Sequence, residues 1–270
     1  MPWAAIGLHL VALVLYPGLV LILAVGILAE GAASVAVDTA GLRAAPFAPV
    51  RRLRDGAARA WPPLLGGALL AALAATQLAV PANPLSPLER NLLVAAVAIA
   101  TAMWLGLGWA WSPPGARAAL VVQACWLVAL LSPAVVSETL RPQVLGAVTV
   151  PAQLPLKALS GLLYLFCLPA ILQLVDEPVP ATGVAAVRVL LWLPLCGLGV
   201  SLFLPPASDD AVGSLRFIAS TIGVALIAIA LGVALTKTDL RSIYLRLASV
   251  LAGGVLVVAA FTAAVTSAVA

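Results

Sequence analysis

Eight stretches of this chain, between 16 and 26 residues long, contain no Asp, Glu, Lys or Arg: residues 3–28, 62–80, 92–111, 118–136, 158–175, 189–204, 217–235 and 247–269. About 20 mostly apolar residues carry a helix across the hydrocarbon core of a bilayer. Within lipid the backbone must satisfy its own hydrogen bonds, so such runs fold as helices rather than as open strands. The pattern predicts an all-α polytopic membrane protein of about eight spans, with residues 1–270 forming a single transmembrane domain.

Composition closes the alternatives. Apolar residues make up 64% of the chain and charged ones 9%, too few charges to cover a water-facing surface. A soluble domain is about 25% charged. The three cysteines, Cys125, Cys167 and Cys196, fall inside apolar stretches without C-x-x-C spacing, which argues for buried thiols and against a disulfide or metal framework. The net charge of +4 comes from basic residues lying between apolar runs, where they report topology rather than nucleic-acid binding. The first stretch is too long for a signal peptide and lacks a basic leader, so it is read as a permanent span.

Orientation follows from Lys and Arg. The odd-numbered loops hold Arg43, Arg51, Arg52, Arg54, Arg59, Arg117, Arg188, Lys237, Arg241 and Arg246, ten in all; the even ones hold Arg90, Arg141, Lys157 and Arg216. Positive residues favour the cytoplasmic side. Both termini are therefore expected outside the inner (cytoplasmic) membrane. The first loop, residues 29–60, is charged yet half apolar, which suits an amphipathic segment lying in the interface with its arginines toward headgroups or a protein partner.

Chemistry is sparse. His9 is the sole histidine and the one candidate intramembrane relay; with no second histidine or nearby carboxylate in its span, no metal site is expected. Nucleotide-binding and nucleophile-elbow motifs are absent from the sequence. None of the ten carboxylates is read as mid-span: Glu30 closes the first span, and Asp176 with Glu177 closes the fifth. Catalytic residues cannot be assigned. Singly, Gly108-Trp109-Ala110-Trp111-Ser112 reads as an aromatic belt before a Pro-Gly turn, and residues 236–246 as a solvated basic loop.

In order along the chain, these segments resemble one family: the membrane subunit of respiratory complex I called subunit 1 or H, and its counterpart in membrane-bound, formate hydrogenlyase-type hydrogenases. The matching residues are Ala29-Glu30, then Pro46-Phe47 and Asp55-Gly56, then Gly108-Trp109-Ala110 with Ser112, Gly115-Ala116-Arg117-Ala118-Ala119, and Gln123. The resemblance implies a subunit that seats a soluble redox module on antiporter-like membrane subunits, with iron–sulfur clusters in the partners and no cofactor in this chain. It also implies that Glu30, Arg51, Arg52, Arg54, Asp55, Arg117, Asp176 and Glu177 act at the partner interface or as a charge relay.

The departures bear on chemistry. The family's intramembrane glutamate falls near Trp126, its long acidic loop is reduced to Asp176-Glu177-Pro178-Val179-Pro180, and its Arg-Gly-Pro-Asn is missing from the first loop. Quinone and proton-path residues are thus largely lost, and no quinone headgroup site formed by this chain alone is expected. The rival reading is a stand-alone small-solute permease or channel. It needs a polar cavity and an internal repeat, and no repeat between the halves is visible, although Pro17 and Pro194 lie inside spans.

Overall fold

The computed structural model describes residues 2–38, 61–107, 113–147, 150–175, 184–205, 208–237 and 241–269, and within them the chain is helical without strands. The helices are α1 (Pro2–Val14), α2 (Leu19–Asp38), α3 (Trp61–Thr76), α4 (Leu92–Leu107), α5 (Pro113–Val136), α6 (Pro142–Ala147), α7 (Leu154–Ile171), α8 (Val184–Phe203), α9 (Ala211–Lys237) and α10 (Arg241–Val269). A 3₁₀ turn at Pro151–Gln153 leads into α7. Among the described residues six helical segments are long and apolar enough to cross a membrane: Ile6–Ala36, Gly115–Val136, Pro151–Ile171, Val184–Phe203, Ala211–Thr236 and Ile243–Thr266. Two further apolar helices, Leu64–Thr76 and Leu92–Leu107, are shorter and pack on each other.

The first apolar stretch is not one straight span. α1 stops before Tyr16-Pro17, whose peptide bond is cis, and α2 restarts at Leu19. Gly18 is required there, because a Cβ would lie 1.9 Å from the Leu13 carbonyl oxygen. α2 also runs on to Asp38, ten residues beyond the expected limit at Leu28. Glu30 does not end the helix; it is carried inside it, and residues 29–38 of the first loop are helical. The rest of the expected interfacial segment lies outside the described residues.

α8 is the axis of the bundle. Every residue from Val184 to Leu202 is buried, against α2, α3, α4, α6, α7 and α9. A helix apolar all round belongs in an interior, and α8 is such a helix except for one arginine. Its crossing with α2 is close enough to demand Gly26, where a Cβ would sit 2.0 Å from the Val189 carbonyl oxygen. α10 is the contrast: it packs on α5 and α7 along one side and leaves Val250, Val257 and Phe261 exposed. Trp126 packs on Tyr164 in the core, ring centroids 6.2 Å apart, and the three cysteines are buried and unpaired.

Candidate functional site

Arg188 occupies the second turn of α8 and is 3% exposed. Its guanidinium grips Glu30 of α2, itself 5% exposed, with two parallel hydrogen bonds: Nε to Oε2 at 2.8 Å, and Nη2 to Oε1. Trp192 lies one turn further along α8, on the same face, and its indole Nε1 donates to Glu30 Oε2 at 3.2 Å. Arg188 Nη1 reaches the Leu172 carbonyl at 3.4 Å. That carbonyl belongs to the C-terminal end of α7, where a cation also meets the negative end of the helix dipole.

Bringing two charges out of water costs several kcal/mol each, about recovered only when geometry and further hydrogen bonds are good. This cluster meets both conditions. The fork is bidentate, which fixes orientation as well as charge, and both carboxylate oxygens are engaged. Glu30 and Arg188 form the one ion pair among the described residues. Neutral as a unit, it offers no uncommitted acid or base. Its chemical work is to fix the register of α2 against α8.

The end of α7 is built to present that carbonyl. Gln173 N–H donates to Ala170 O at 3.0 Å and Leu174 N–H to Pro169 O at 2.7 Å, with Gln173 at φ 52. This is the paired closure that helices usually make with glycine in the left-handed position.

The packing of α8 shows which segments share this end. Gly26 of α2, Gly67 of α3 and Gly106 of α4 all lie against residues 187–190. The described chain therefore leaves this end toward residues 39–60, 108–112 and 176–183. Those segments contain Pro46, Phe47, Arg51, Arg52, Arg54, Asp55, Gly56, Gly108, Trp109, Asp176 and Glu177, which lie outside the described residues. Of the remaining expected site residues, Arg117 is exposed near the start of α5, and His9 is exposed on α1. Gln123 is half-buried and accepts the Trp104 indole hydrogen bond at 2.5 Å, tying α5 to α4.

Arg188 was assigned by sequence reasoning to a loop, as a topological charge. It lies instead inside α8, so its place in the loop count is corrected. The signal existed in two forms: Arg188 and Trp192 are four residues apart, and Glu30 interrupts an uncharged run from residue 2 to residue 37. Two lone opposite charges in apolar helices are each other's natural partners.

A second buried arginine closes the opposite end. Arg90, 4% exposed, donates from Nη2 and Nε to Leu85 O at 2.6 and 3.2 Å and from Nη1 to Leu78 O at 3.4 Å. The segment it holds, residues 77–91, is knitted to its surroundings throughout. Ala79 N–H donates to Ser201 Oγ, Tyr16 Oη to Pro81 O, Ala82 N–H to Asp209 Oδ1, and Asn83 Nδ2 to Thr76 O. Burial pulls the Arg90 pKa below the ordinary arginine range, and the Asp209 charge pulls it partly back. Compared with protein-family models, curated proteins and solved structures, the chain matches none.

Proposed function

We propose that this chain is a divergent membrane-anchor subunit of a complex I-like or membrane-bound hydrogenase-like, ion-translocating redox complex. It seats a soluble redox module, which carries the iron–sulfur clusters, on antiporter-like membrane subunits, and lipid surrounds the rest. The observation that carries the reading is the clamp on Glu30. The acidic member of the Ala29-Glu30 pair is buried and bound to the central helix, at the end from which the arginine-rich residues 39–60 depart. A helix pair locked there gives the basic segment a rigid base on which to hold a partner.

The shorter pair α3 and α4 completes eight passes in this reading. With the buried Arg188 removed from the count, Lys and Arg divide nine against four, which keeps the Glu30 end on the cytoplasmic side and both termini outside. The chain has no catalytic role of its own here and forms no quinone headgroup site alone.

Purification of the tagged chain from its native membrane in mild detergent tests the proposal. A soluble iron–sulfur protein should co-purify, and Arg51→Gln with Arg54→Gln should release it increasingly as salt rises, because desolvated interface charges lose about 2–5 kcal/mol when one partner is removed. Recovery as a lone chain that moves a small solute in liposomes would replace this reading with a permease.

A further inference from the structure

At the Arg90 end, a recess of about 730 Å³ opens between residues 88–91, the last turns of α5 and residues 138–141. Its size falls in the range of small-ligand sites. Leu131, Val135 and Leu140 give it an apolar floor, and Glu89, Glu138 and Arg141 stand exposed around it. It sits where α4 begins and α5 ends, at the boundary between apolar helix and polar loop. An occupant must therefore match an apolar wall and a charged rim together.

The remaining polar groups nearby are already committed. Arg90 lines the recess but spends its guanidinium on Leu85 O and Leu78 O. The start of α4 is satisfied by Leu140 O, which accepts from Leu92 N–H, and by Asn91 Oδ1, which accepts from Leu93 N–H. Glu89 Oε2 accepts from Ser86 N–H at 3.1 Å, which holds this carboxylate at the rim. The charge left to meet a ligand is two carboxylates and one guanidinium.

We propose that this recess binds a phospholipid with a primary ammonium headgroup, of the phosphatidylethanolamine type. Arg141 takes the phosphate, Glu89 and Glu138 take the ammonium, and the acyl chains lie on the leucine and valine floor. A quaternary ammonium has no N–H to donate to the carboxylates, and a glycerol headgroup offers Arg141 the same phosphate but brings no cation to set against Glu89 and Glu138. The inference does not rest on the function proposed above, since it concerns the other end of the bundle.

Native mass spectrometry of the delipidated full-length chain, titrated with ethanolamine, choline and glycerol phospholipids of matched acyl chains, tests it. Wild type should retain one ethanolamine lipid with about tenfold preference over the other two, the scale of one charge-assisted contact. E89Q with E138Q should bring the ethanolamine-to-choline ratio to near one, E89D with E138D should keep the preference, and R141Q should weaken both lipids alike. The wild-type ratio stands as a test even if a variant fails to fold. Equal ratios in wild type mean annular lipid only and overturn the site. So do a stronger glycerol lipid, an unchanged ratio in the double Gln variant, or a dimer that R141Q dissolves.

Discussion

Each end of the bundle buries an arginine, Arg188 at 3% exposure and Arg90 at 4%, yet the two are held differently. Arg188 sits inside a helix surrounded by six others and is met by a carboxylate, an indole that shares that carboxylate, and a helix-end carbonyl. Arg90 sits in a non-helical segment and is met by carbonyls, three hydrogen bonds to two of them. The difference teaches where a buried cation needs a counter-charge. Deep between helices, dipoles are too few and fixed in their own ladders. At a bundle end, carbonyls released from helix geometry can solvate a guanidinium by themselves.

The largest effect should come from breaking the clamp. Glu30→Gln leaves Arg188 charged and buried without its mate, a loss of about 3–5 kcal/mol. Glu30→Leu with Arg188→Met should regain most of it, because apolar groups of similar volume carry no desolvation cost. Unfolding of the two variants in detergent, followed by helical signal, measures both. A wild-type midpoint for Glu30→Gln would show that the pair holds nothing.

Arg90→Met should cost less, about 1–3 kcal/mol, since it strips partners from Leu85 O and Leu78 O without leaving a charge behind. Arg90→Lys sharpens the contrast through pH. Desolvation lowers the Arg90 pKa, and a lysine in its place feels the same burial from a lower start. Its folded pKa then lies below its unfolded value of about 10.4. Between the two values the unfolded chain binds more protons, so stability rises with pH across that window. The variant should therefore gain on wild type as pH climbs from its lowered folded pKa toward about 10.4, read as the unfolding midpoint. A flat difference would mean that water reaches this position freely.

Much of the fold was legible and much of the site was not, for a common reason. Absence of charge over 16 or more residues marks a helix in lipid, so all eight apolar stretches appear as helices, six of them of spanning length. The same rule treats each charge as a boundary, and there it fails. Glu30 looked like the end of a span and Arg188 like a loop residue, because neither reveals from its own neighbourhood that a partner 158 positions away neutralises it. The break at Tyr16-Pro17-Gly18 was hidden because proline is tolerated inside membrane helices; Pro133, Pro169 and Pro194 lie within helices. Arg90 was read as a loop cation, correctly placed, but the folded segment that consumes its donors has no sequence signature.

Smaller effects test the helix ends. Glu138 at φ 50 closes α5 and Gln173 at φ 52 closes α7, both left-handed. Replacing either by glycine removes a Cβ clash and should stabilise by about 1 kcal/mol. Equal gains would show that the two ends share one backbone logic despite their different charges. A loss at residue 173 alone would tie its side chain to the clamp.

Smallest is the start of α9. Asp210 Oδ1 accepts from Gly213 N–H and Ser208 Oγ, both at 2.7 Å, and these bonds hold its carboxyl below the usual range. A depressed carboxylate protects above its unfolded pKa and ceases to as pH falls through its folded one. Asp210→Ala should speed amide exchange at Gly213 at neutral pH and match wild type in strong acid. Equal exchange at neutral pH would remove Asp210 as the cap.

The all-round burial of α8 also has a consequence for how the protein is made. Ribosomes deliver Glu30 long before Arg188, so α2 enters the bilayer with a carboxylate that has no mate and α8 arrives with a guanidinium that has no lipid-facing side to favour it. A lone charge within a membrane helix disfavours insertion, by about 3 kcal/mol at the centre and by less toward the end where this pair lies. The Glu30 clamp on α2 therefore cannot close until the sixth apolar stretch has been made and brings Arg188 to it. Assembly of the bundle's centre thus waits on α8, the helix against which α2, α3, α4, α6, α7 and α9 all pack.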